Sequence, residues 1–150
     1  ILRQIDSAGK EDFSLVQYVN QGLAKITAQL CESEDSSLKS VRFEFKIAAG
    51  WHVTAAGMKG GSYSALSLDV GADELEWQML SADYPNASEV MNDSKNSRVR
   101  VYDDTFRLVA KLQRKNGRDD SGCFGASLII SLQLCNDQEC LLPCKIGFRI

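Results

Sequence analysis

Two cysteines five residues apart, Cys135 and Cys140, are the residues of this 150-residue chain best suited to chemistry, because a thiol pair that closes to a disulfide moves two electrons. Between them stand Asn136, Asp137, Gln138 and Glu139, and after them Leu141, Leu142, Pro143 and a further cysteine, Cys144. In an extended strand, residues five apart point to opposite faces, so the two sulfurs meet only if the backbone bends. Asn136 and Asp137 are turn formers and supply that bend. A bridge here closes a very small ring, worth about 2 kcal/mol of loop entropy, against about 4 to 5 kcal/mol for a bridge spanning most of the chain. So small a ring is a poor staple, and at a surface turn it suits thiol–disulfide exchange. A bridge without chemistry is the competing reading. Asp137 and Glu139 lie inside the ring and disfavour a thiolate, with only Lys145 and His52 to counter them. The pair therefore suits a passive disulfide attacked by a partner rather than a self-activating one. His52 is the single histidine. With an ordinary pKa of about 6.5 it is a candidate proton donor or acceptor near the sulfurs; the plainer reading is a surface or satisfied core residue.

Five cysteines is an odd number, so at least one thiol stays free or pairs with another molecule. Cys31 and Cys123 are candidates for a second, structural bridge, and the overall count leans toward an oxidising compartment. A rival chemistry is a metal site, in which Cys135, Cys140, Cys144 and His52 supply three sulfurs and a nitrogen to zinc or copper(I). The spacing is not that of a zinc finger, and the exchange reading requires neither metal nor cofactor. Gly57 to Gly61 lacks the lysine and hydroxyl ending of a phosphate loop and reads as a turn. One histidine and no nucleophile elbow leave no Ser-His-Asp set, so hydrolase readings fall away.

The elements that must position these groups are mostly strands. Ala24, Ile26, Ala28 and Leu30 alternate with polar residues, and so do Val41, Phe43, Phe45 and Ile47 with Arg42, Glu44 and Lys46. Further strands are expected around Leu66 to Val70, Leu75 to Met79, Val99 to Val101 and Phe106 to Leu112, the last two as a hairpin through Asp103-Asp104. One more runs from Ala126 to Leu134 into the cysteines, and another from Cys144 to Ile150 out of them. Residues 83–97 read as loop. The pattern predicts an antiparallel β-sandwich of about eight strands over 23–150, with Val41, Phe43, Phe45, Leu128, Ile130 and Leu132 in one core. Residues 1–22 form a short entry segment or the tail of a preceding domain. There Leu15, Val16, Val19 and Leu23 fall at helical spacing behind a capping Ser14.

Gly50-Trp51-His52-Val53 after an alternating strand, Tyr84-Pro85, Val101-Tyr102, and Leu132-Gln133-Leu134-Cys135 through Cys140-Leu141-Leu142-Pro143 occur in that order. Over about Leu23 to Ile150 the chain resembles the N-terminal domain family of the thiol:disulfide interchange protein DsbD. That resemblance implies an immunoglobulin-like sandwich in the bacterial periplasm. It also implies electrons received through a thioredoxin-like domain from a membrane-embedded partner and passed to periplasmic oxidoreductases. In the family the second cysteine forms the intermolecular disulfide; its counterpart here is Cys140, with Cys135 resolving. The segment where family members carry a shielding aromatic, Met91 to Arg100, has none here.

Composition sets the outer bounds. Apolar residues at 44% and charged residues at 25% describe a globular domain rather than a disordered one. A net charge of −3 argues against nucleic acid or an anionic membrane as main partner. No apolar run reaches transmembrane length, so no direct membrane insertion is expected of this stretch. The chain begins at Ile1 without a signal segment and is expected to be part of a larger or processed protein. A non-catalytic interaction domain of a larger secreted or membrane protein is the reading that needs no chemistry at all.

Overall fold

The computed structural model describes residues 2–5, 11–31, 37–57, 64–92, 97–115 and 125–150. These residues contain no helix. The strands are β1 (Leu2–Ile5), β2 (Glu11–Val19), β3 (Ala24–Cys31), β4 (Leu38–Ile47), β5 (His52–Thr54), β6 (Ser67–Val70) and β7 (Trp77–Asp83). They continue with β8 (Ser88–Asn92), β9 (Ser97–Asp103), β10 (Thr105–Arg114), β11 (Ser127–Leu132), β12 (Leu134–Cys135) and β13 (Cys144–Arg149). Three antiparallel sheets result, ordered β1-β2-β3-β4-β10-β7, β13-β11-β6 and β12-β5-β9-β8.

The six-stranded sheet forms one layer and the two smaller sheets face it. Phe43 of β4 meets Phe148 of β13 edge-on at 5.3 Å, and Tyr102 of β9 meets Phe106 of β10 at 5.0 Å. Strand alternation supplies the facing residues: Val41, Phe43, Phe45, Leu128, Ile130 and Leu132 are all fully buried in one cluster. The β-sandwich expected from the sequence is the fold of the protein.

Local expectations fare unevenly. The stretch with helical spacing is the strand β2, paired with β3 from Ser14↔Gln29 to Val19↔Ala24. A tight turn joins them, with Asn20, Gln21 and Gly22 all at positive φ. β1 and β2 thereby extend the six-stranded sheet. The loop expected over 83–97 contains β8, paired with β9 along an outer edge. The expected hairpin through Asp103-Asp104 does not form. β9 pairs with β5 and β8, β10 with β4 and β7, and Asp104 at φ 55° carries the chain from one layer to the other. A strand was expected to start near Leu75, but Leu75 is exposed and β7 begins at Trp77. The lead-in is held by Glu74, whose carboxylate accepts the N–H groups of Glu76, Trp77 and Ser127.

Candidate redox site

β11 ends at Leu132, Gln133 steps across, and β12 continues with Leu134 and Cys135 in a different sheet. The chain then turns back on itself. Asn136 N–H donates to the Glu139 carbonyl and Leu141 N–H to the Leu134 carbonyl, each at 2.8 Å. The Asn136 side-chain oxygen accepts the N–H groups of Gln138 and Glu139 at 2.9 and 2.8 Å, which is why asparagine suits this corner. Cys135 and Cys140 thus oppose each other as an antiparallel bridge, their Cα atoms 4.0 Å apart, and their sulfurs are joined in a disulfide. They sit between the hydrogen-bonded pairs, where facing side chains come closest. The bend expected of Asn136 and Asp137 is therefore a small hairpin.

The two cysteines differ sharply in exposure. Cys135 is 2% exposed, whereas Cys140 belongs to the exposed tip with Asp137, Gln138 and Glu139. Beyond it Leu141 packs against the core, while Leu142 stands out at 84% exposure.

Cys135 pairs with His52 of β5, and His52 with Asp103 of β9. Directly opposed residues share a face, so the Cys135 sulfur, the imidazole and the carboxylate lie in one cross-strand row. The adjacent row of Leu134, Val53 and Tyr102 is buried in the core, which puts the Cys135 row on the opposite side of the sheet. Burial lowers the His52 pKa from its ordinary value, partly opposed by the negative charges of Asp137 and Asp103. The imidazole is consequently neutral near pH 7, the form that accepts a proton.

The four-residue metal set does not assemble. Two of its sulfurs are bonded to each other, and the Cys144 thiol is directed at Asn20 Oδ1 (3.7 Å) and the Leu142 carbonyl (3.5 Å). Among the described residues no group of three His, Cys, Asp or Glu side chains is placed to hold a metal ion. Among the described residues Cys31 is a free thiol near the Gln29 carbonyl of its own strand. Cys123 lies outside the described residues, as does the glycine-rich turn beyond Gly57, from Met58 to Gly61. Sequence reasoning missed Asp103, whose place beside His52 depends on strand pairing, and Gln133, a polar residue between two buried leucines.

No family model matches the chain, and no curated protein matches it. Solved structures do. The N-terminal periplasmic domain of ScsB from Proteus mirabilis superposes with a TM-score of 0.65 at 13% identity, over 90% of this chain and 49% of that one. The DsbD N-terminal domain of Neisseria meningitidis, in its reduced form, superposes with a TM-score of 0.52 at 19% identity, over 82% of each chain. The fold is DsbD N-terminal-like. This chain spans about half the length of the ScsB chain, and at these identities the likeness is one of architecture. In this DsbD N-terminal-like fold the disulfide hairpin precedes β13 and joins a buried cysteine to an exposed one.

Proposed function

We propose that this domain, whose six-stranded sheet includes β2, is a thiol–disulfide exchange module of the bacterial periplasm, carried within a larger chain. Cys135 and Cys140 cycle between disulfide and dithiol, and Cys140 engages the partners. The observation that carries this reading is the difference in exposure: an incoming thiolate can reach Cys140 but not Cys135, which is 2% exposed. The fold shared with the N-terminal periplasmic domain of ScsB supports the location, and partners of the thioredoxin-like kind suit a disulfide with one exposed cysteine.

The chemistry balances as two exchanges. A donor thiolate attacks Cys140 Sγ, the Cys135–Cys140 bond breaks, and Cys135 leaves as a thiolate that takes up a proton. The donor's second thiolate then attacks its own mixed sulfur and releases Cys140, so two electrons and two protons have entered the pair. Discharge to a downstream oxidoreductase runs the steps in reverse. Cys135 must then lose its proton to attack the mixed disulfide, and neutral His52, directly across from it, is the acceptor. Asp137 and Glu139 make the hairpin acidic, which suits a module whose disulfide is attacked by a donor carrying its own activated thiol.

The test is reduction of the oxidised domain by a reduced thioredoxin-like donor, followed by thiol counting. The reading expects two new thiols per chain at stoichiometric donor, much faster than with dithiothreitol at equal concentration. A Cys135–Cys140 bond that resists the donor and yields only to denaturant plus reductant would make the bridge structural.

A further inference from the structure

Gln133 lies two residues before Cys135 and is 7% exposed. A buried carboxamide needs a partner at both ends. Its oxygen accepts the backbone N–H of Ser64 at 2.9 Å, and its nitrogen donates to the Leu141 carbonyl at 2.9 Å. The partners fix the orientation, since an N–H can meet only the oxygen and a carbonyl only the nitrogen. Leu141 directly follows Cys140. The carboxamide therefore fastens the returning arm of the hairpin, beside the exposed sulfur, to the strand that carries the buried one, and Ser64 braces it from a separate loop.

We propose that Gln133 is a positioning residue for the redox pair: it keeps the hairpin closed once the Cys135–Cys140 bond is broken, and so holds the two thiols at high effective concentration. The inference rests on the exchange reading above. In the oxidised domain the covalent bond closes the hairpin whatever Gln133 does. In the dithiol the ties that remain are the Asn136 turn, the Leu141–Leu134 backbone bond and the Gln133 bond. The Asn136 bonds run to the exposed Gln138 and Glu139, where water competes for them, and the Leu141–Leu134 bond lies within the hairpin itself, while the Gln133 carboxamide is buried and anchored outside it. The step that profits is resolution. Cys135 thiolate attacks Cys140 Sγ of a mixed disulfide, the Cys135–Cys140 bond forms, and the partner leaves as a thiolate carrying the electron pair of the broken bond. Its rate follows the fraction of time the two sulfurs spend within reach.

Gln133→Leu removes both hydrogen bonds with little change in volume. Equilibrated against reduced and oxidised glutathione, the variant is expected to form the Cys135–Cys140 bond with an equilibrium constant about tenfold lower than the wild type. That is the worth of one buried hydrogen bond, and it makes the potential about 30 mV less negative. Resolution of a mixed disulfide slows by a similar factor. A purely structural role would destabilise the oxidised and dithiol forms alike and leave the equilibrium constant unchanged, and that result overturns the proposal. The wild-type protein supplies a second test that needs no variant. After chemical reduction, hydrogen exchange at the Asn136 and Leu141 amides is expected to stay as slow as in the oxidised form; loss of that protection overturns the proposal. Exchange at these amides is readable even if no thioredoxin-like donor reduces the domain, so failure of the exchange reading is distinguishable from failure of this one.

Discussion

Replacing Asp137 with Asn and Glu139 with Gln should speed attack on Cys140 by anionic thiols. Both side chains are exposed at the hairpin tip, and the turn uses only the backbone N–H and carbonyl of Glu139, so the double variant keeps the local fold. Chain geometry places each carboxylate roughly 7 Å from the Cys140 sulfur. In water-like surroundings a unit charge at that distance repels an incoming thiolate by about 0.6 kcal/mol, and physiological salt removes roughly half of that. Two carboxylates together then slow attack about sevenfold at low ionic strength and about threefold at physiological strength. The assay is the second-order rate constant for reduction of the disulfide by 2-mercaptoethanol, whose thiolate carries one negative charge. Cysteamine, whose thiolate is zwitterionic, is the control and should respond far less. Equal acceleration with both thiols, or a gain that does not shrink with salt, would refute the reasoning and place the carboxylates away from the path of attack.

Phe45 is fully buried and stacks on Phe106 at 4.6 Å, so Phe45→Ala should cost about 3 to 5 kcal/mol in urea unfolding; a loss below about 1 kcal/mol would deny it a place in the core. Glu74→Ala strips one carboxylate from three backbone N–H groups and should cost about 2 to 3 kcal/mol, with Glu74→Gln recovering part of it. Burial lowers the His52 pKa, so the unfolded chain binds this proton more readily than the folded one. Stability owed to neutral His52 is complete above pH of about 6.5 and is lost as pH falls through the lower folded value. His52→Asn should therefore lose less stability than the wild type between neutral pH and about pH 5, measured by urea unfolding across that range. Parallel profiles would contradict the assigned burial.

The strands that build the core were legible because one face of each is apolar and the other polar, as in Val41 to Ile47 against Arg42 to Lys46. β2 was misread because Leu15 and Val16 are adjacent, which blurs the period of two, while Leu15, Val16, Val19 and Leu23 also satisfy a helical face. Pairing with β3 decides between the two, and pairing is a long-range fact. Asp103-Asp104 announced a turn correctly, yet turn chemistry does not say whether the next strand returns to the same sheet. β8 escaped notice because Ser88 and Glu89 are exposed on an edge strand without apolar alternation. At the site, the cysteine spacing and Asn136 were enough to expect a bent, closable pair. The difference in exposure between the two sulfurs was not, and neither were the contacts of Gln133, one of which spans 69 residues.

Trapping with single cysteine variants tests the central claim most directly. Cys135→Ser leaves the exposed Cys140 thiol without its resolving partner, so a mixed disulfide with a thioredoxin-like donor should accumulate and dissolve on adding reductant. Cys140→Ser leaves only the 2%-exposed Cys135 and should trap little or nothing, while Cys31→Ser and Cys123→Ser should leave exchange almost unchanged. Both active-pair variants should stay folded, losing about 2 kcal/mol or less, since so small a ring contributes little to stability. Peptide mapping of the trapped adduct by mass spectrometry should place the linkage at Cys140; a linkage at Cys144, or equal trapping by both variants, would contradict the account.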